Sequence, residues 1–153
     1  MNKFFLLALT GSLLIACTGN DAKMVSSAEQ KEQGAAALKD TANYTTIEWL
    51  DSTTQDKGKI QQGQTLEISW KFRNSGNKPL FISEVRPGCG CTGAKGPDAP
   101  IAPGGTGVIT ATFNSENYPG TQQKSVYVMA NNKNKKDQSQ DILYFNVQVE
   151  PKK

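Results

Sequence analysis

The sequence predicts an all-β domain, an immunoglobulin-like antiparallel β-sandwich of about seven strands. Three observations carry this expectation. From Tyr44 onward the large apolar residues recur with period 2. The runs are short and bounded by Gly, Pro, Asn and Asp. No helical period is sustained over roughly 105 residues.

Thr45 to Leu50 and a short piece around Lys59 and Ile60 supply the first strands. Trp49 stays open, because Ile47 and Trp49 against Glu48 and Leu50 do not settle which face is buried. Thr65 to Asn74 is the clearest strand: Leu66, Ile68, Trp70 and Phe72 alternate with Glu67, Ser69, Lys71 and Arg73. Asn74-Ser75-Gly76-Asn77 is turn chemistry, and Pro79 opens a run from Leu80 to Val85. Val85 is out of phase with Leu80 and Ile82, which predicts a bulge just before Arg86-Pro87. Gly107 to Asn114 turns Ile109, Ala111 and Phe113 inward, and Gln122 to Asn131 does the same with Val126, Val128 and Ala130. Ser139 to Glu150 closes the set with Leu143, Phe145, Val147 and Val149. The cross-core cysteine pair of antibody domains is missing, so Trp70 and Phe72 must fill the centre by packing.

Composition narrows the chemistry. The 153 residues contain no histidine, which removes Ser-His-Asp and Cys-His hydrolysis, His-ligated zinc and c-type haem attachment. The formal charge is +3, too small to argue for nucleic acid, and no basic stripe is interleaved with aromatics. Lys133, Lys135 and Lys136 cluster among Asn, Asp and Gln, as in a solvated hairpin loop. The carboxylates Glu84, Asp98, Glu116 and Asp141 are scattered, and nothing in their spacing pairs two of them for acid/base work. The sequence therefore points to no enzyme and to no cofactor.

Ahead of the domain lies an address. Lys3 followed by the apolar stretch Phe4 to Ala16, 13 residues, has the length of a signal-peptide core and falls short of the roughly 20 a membrane span needs. Leu14-Ile15-Ala16-Cys17 resembles the bacterial lipoprotein signal. That resemblance implies cleavage before Cys17, a diacylglyceryl group on its thiol and an acylated amine, a stable membrane anchor because more than one chain is buried. Thr18 stands where Asp would hold an enterobacterial lipoprotein at the inner membrane, so the resemblance implies the outer membrane. A plain secretory signal with a chance cysteine is the alternative. Residues 18 to 43 carry no aromatic side chain and few large apolar ones, and read as a tether with room for a short frayed helix. The chain thus divides into a signal at 1–16, a lipidated flexible tether at 17–43 and the sandwich at 44–153.

One segment stands apart. Arg86 to Gly107 holds 7 Gly and 4 Pro in 22 residues, together with both remaining cysteines. A connection this long inside a compact domain is usually functional or mobile. Cys89-Gly90-Cys91 can close a disulfide within the loop, with Gly90 expected to supply the backbone freedom that so tight a ring needs. Arg86, Gly90 and Thr92 are the candidate loop surface beside the cysteines.

At these residues the chain resembles a bacterial family, the domain of unknown function (DUF) 1573. The resemblance runs through Phe72-Arg73-Asn74-Ser75-Gly76, Pro79-Leu80-x-Ile82-x-x-Val85 and Cys89-Gly90-Cys91-Thr92. It continues through Ile101-x-Pro103-Gly104-x-x-Gly107, Phe113 and Val126-x-Val128-x-x-Asn131. It implies a hydin-type immunoglobulin-like fold and a lipoprotein address, and it supplies no activity. The functional expectation is a non-catalytic binding or structural module, displayed from lipid on Cys17 towards an envelope protein or glycan. The alternative is thiol chemistry at Cys89 and Cys91, as a redox pair or as thiolates for a soft ion such as Cu(I).

Overall fold

The computed structural model describes residues 40–133 and 140–152, preceded by Glu29, Glu32, Gln33, Ala36, Ala37 and Lys39 in helical conformation. The signal at 1–16, Cys17, most of the tether and the loop lysines Lys135 and Lys136 lie outside the described residues. Asp40 caps a single 3-10 turn, Thr41–Asn43, its carboxylate accepting from the Ala42 N–H at 2.9 Å.

Eight strands follow: β1 (Ile47–Trp49), β2 (Thr54–Gln61), β3 (Thr65–Asn74), β4 (Ile82–Pro87), β5 (Thr92–Lys95), β6 (Thr106–Asn114), β7 (Gly120–Ala130) and β8 (Gln140–Glu150). They form two sheets of four, in the orders β1-β3-β6-β5 and β2-β8-β7-β4. All-β architecture and sandwich are as the alternation predicts, and three details differ. The eighth strand is β5, inside the segment read as irregular; Thr-Gly-Ala-Lys has no apolar alternation, and only its ladder to β6, from Thr92 opposite Phe113 to Lys95 opposite Thr110, makes it a strand. β2 runs parallel to β8, because the chain leaves β1 on one sheet and crosses at Ser52 and Thr53 to the edge of the other. The bulge of β4 lies between Ile82 and Glu84 rather than before Arg86, so that Ile82 and Val85 both pack against the core.

The inner faces meet as the period-2 pattern requires. Ile68, Trp70, Phe72, Ile109, Ala111 and Phe113 face Val126, Val128, Leu143, Phe145, Val147 and Val149, all buried. Phe145 is the hub, its ring 6.4 Å from that of Trp70 and 5.8 Å from that of Phe113. Trp49 is resolved as partly buried, packing edge-on to Phe72 at 5.5 Å.

The outer edges are blunted. β2 carries Asp56, Lys57 and Lys59 around a register shift at Gly58, whose φ is +67°. β4 is bulged and ends in Pro87, and β5 is four residues long. Charge, bulges and short length are features that disfavour pairing of exposed ladder groups with another chain.

Candidate functional site

β3 runs the length of the sandwich, and its ten residues at about 3.3 Å each separate two poles by about 30 Å. The pole at its C-terminal end is closed by buried asparagines. Asn74 accepts from Thr45 Oγ1 at 2.8 Å and the Gly76 N–H at 3.2 Å, and donates to the carbonyls of Lys78 and Ile101 at 2.8 and 2.9 Å. Asn131 accepts from the Phe81 N–H at 2.8 Å and donates to the carbonyls of Asn43 and Pro79 at 2.7 and 3.0 Å. Asn132 accepts from the Ile47 N–H and donates to Asp141 at 3.0 Å. These side chains satisfy backbone groups of three separate segments, and so fix where the chain arriving from the N-terminus joins the sandwich. Among them, period-2 reasoning singles out none as functional; the only sequence signal of Asn74 and Asn131 is their place in the resemblance motifs, and Asn132 has none.

The opposite pole holds the cysteine loop. The Gly88 N–H donates to the Ser125 carbonyl at 2.9 Å, the Thr92 N–H to the Cys89 carbonyl at 3.4 Å and the Asn114 N–H to the Cys91 carbonyl at 3.1 Å. Cys89 and Cys91 are joined by a disulfide, with their Cα atoms 5.3 Å apart. Gly90 is exposed at the tip, but its φ is not positive and a Cβ there would meet nothing within 4 Å, so the ring does not depend on glycine's conformational freedom as expected. The tip is a turn closed by Thr92 onto Cys89, a geometry ordinary residues adopt.

The other predicted loop residues separate. Thr92 is not surface: it is 5% exposed, and its hydroxyl lies 3.5 Å from Cys89 Sγ and 3.7 Å from Cys91 Sγ. A disulfide sulfur carries no hydrogen, so the Thr92 hydroxyl is the donor, shared between the two. Arg86 is exposed but belongs to the outer face of its sheet, where its guanidinium stacks 4.6 Å from the centre of the Tyr127 ring directly across the ladder. Lys124, which the sequence does not single out, points inward at this pole with its ammonium 4.5 Å from the Tyr118 ring centre and 5.5 Å from that of Phe113. Beside the loop lies a hollow of about 220 Å³ lined by Gly90, Cys91, Asn114, Asn117 and Tyr118.

The Cu(I) donor set does not fit these residues as they stand. Sulfurs bonded to one another offer no thiolate, and Met129 lies on β7 opposite Glu84, towards the asparagine pole. Among the described residues no three Cys, Asp or Glu side chains gather in a metal-holding group. Of the scattered carboxylates, Glu116 pairs with Lys152 at 2.8 Å and Asp141 with Asn132. Glu84 and Asp98, by contrast, come to one open groove of about 300 Å³ between β4 and the segment after β5, which their spacing does not foretell.

Comparison with solved structures supports the fold. A protein of unknown function from Porphyromonas gingivalis W83 superposes with a TM-score of 0.60 at 18% identity, over 71% of this chain and 49% of that one. The secreted serine protease VesC from Vibrio cholerae gives 0.51 at 12% identity, over 69% of this chain and 23% of that one. This chain therefore spans about half of the first protein and under a quarter of the second. No match among curated proteins was found. The family model described as "Protein of unknown function (DUF1573)" matches residues 47–149, from β1 into β8 and through the Cys89–Cys91 loop. The chain belongs to the DUF1573 family.

Proposed function

We propose that this protein is a non-catalytic display module of the bacterial envelope. A lipid on Cys17 holds it to the outer membrane, and the sandwich presents the Cys89–Cys91 pole to an envelope protein or glycan. The observation that supports this reading is polar separation: the N-terminal segment is bonded in through Asn43 at Asn131, whereas the cysteine loop lies at the far end of β3 and β6. A module tethered at one end exposes the other. Short, charged and bulged edges leave the pole, rather than strand addition, as the available contact surface.

The test has two arms. Cys17→Ser should abolish incorporation of labelled palmitate and release the protein from membranes; retention in the membrane would refute the anchor. A photo-crosslinking residue at Asn117, beside the loop, should give discrete adducts in intact cells, and one at Lys78, near the asparagine pole, should not. Equal labelling from both positions, or none from Asn117, would refute distal presentation.

A further inference from the structure

We propose that Cys89–Cys91 is an exchangeable disulfide, reduced by a protein or small-molecule dithiol that attacks Cys91 Sγ, with the Thr92 hydroxyl stabilising the departing Cys89 thiolate. The inference does not depend on the lipid anchor or on a binding partner at the pole.

Three features support it. The first is approach: the hollow beside the loop is lined by Cys91 and Gly90 but not by Cys89, and it opens past Asn114, Asn117 and Tyr118. Lys124 holds its ammonium 4.5 Å from the centre of the Tyr118 ring, one of the side chains that line this hollow, so positive charge lies at the same pole and favours an arriving thiolate. The second is the leaving group. Thr92 is buried, its hydroxyl is already aimed at Cys89 Sγ at 3.5 Å, and a hydrogen bond strengthens when its acceptor becomes an anion. The third is return. Gly88 is bonded to β7, Cys91 to β6 and Thr92 to both β6 and Cys89 by backbone groups. Loss of the sulfur–sulfur bond therefore leaves the two thiols facing one another and ready to reclose.

The exchange balances without further reagents. One thiolate of the dithiol bonds to Cys91 Sγ, the Cys89–Cys91 bond breaks, and Cys89 departs as a thiolate that takes a proton from water. The second thiolate of the dithiol then attacks its own half of the mixed disulfide and releases Cys91. Two electrons pass to the protein, and the dithiol leaves as a disulfide.

The full chain, folded and in native buffer, is treated with dithiothreitol, quenched in acid at intervals and alkylated. Cys89 and Cys91 should both become alkylated while the tryptophan fluorescence stays native. A disulfide reduced only when the protein is unfolded would overturn the proposal. Glutathione, a monothiol probe, should leave its adduct on Cys91 and the alkyl group on Cys89; an adduct on Cys89 would overturn the assigned direction. Thr92→Val, which keeps the shape and removes the hydroxyl, should slow reduction about tenfold, with Thr92→Ser restoring it. An unchanged rate in Thr92→Val would overturn the role of Thr92, and the glutathione result on the unaltered chain stands whether or not that variant folds.

Discussion

Gly107 lies flat against the ring of Phe72: the two are directly opposite in the β3–β6 ladder, and a Cβ on Gly107 would fall 2.9 Å from Phe72 Cε1 and nearer still to Cζ. The absent side chain is what lets a fully buried phenylalanine fold across the neighbouring strand. Gly107→Ala should overpack the core and cost about 1–3 kcal/mol, read as a lower midpoint in urea unfolding with an unchanged slope. A variant as stable as the parent would show that Phe72 moves aside freely.

Gly90 should behave in the opposite way. Its φ is not positive and its Cβ direction is open, so Gly90→Ala should lie within about 0.5 kcal/mol of the parent and still form the disulfide. A loss of several kcal/mol, or free thiols in the oxidised protein, would mean that the ring does need glycine.

Asn131→Ala should be among the most damaging polar substitutions. It leaves the part-buried Phe81 N–H and carbonyls of Asn43 and Pro79 without the fully buried side chain that bonds all three. The expected cost is about 2–4 kcal/mol, with faster hydrogen exchange at Phe81 and loosening of Thr41–Asn43. Exchange unchanged at Phe81 would contradict this account.

Replacing both loop cysteines should matter little to stability. Closing so short a loop removes little entropy from the unfolded chain, about 1.5–2 kcal/mol in the loop-closure model. Cys89→Ser with Cys91→Ser should therefore give a folded domain with a modestly lower midpoint, checked by urea unfolding. A loss of most of the stability would make the disulfide a structural clip.

The edge of β2 offers a fifth measurement of a different kind. Replacing Lys57 and Lys59 with Val and deleting Gly58 removes the charges and the register shift that blunt this strand. The variant should self-associate, seen as a rise in mass by light scattering at micromolar concentration. A monomer would show that Asp56 and the twist of the sheet suffice.

Much of the fold was legible because it is written in local alternation. Ile68, Trp70 and Phe72, or Leu143, Phe145, Val147 and Val149, must share a face in any extended chain, and burying that face requires a second sheet. Weaker alternation gave weaker reading. Trp49 stayed open because three strand residues carry almost no phase, and only the Phe72 ring beneath it decides its side. β5 was missed because Thr-Gly-Ala-Lys becomes a strand solely by pairing with β6.

The site divides along the same line. The sequence alone determined that a Gly- and Pro-rich loop carries two cysteines one residue apart, that no imidazole is at hand, and that the large apolar residues of each strand share one face. These follow from composition and period, which a chain possesses before it folds. Only the tertiary structure decided that Thr92 is buried beneath both sulfurs, that Lys124 is turned inward at the same pole, and that Asn74 and Asn131 close the opposite one. Each of those facts depends on hydrogen bonds and contacts between segments distant in the chain, and no local pattern records which distant groups will meet.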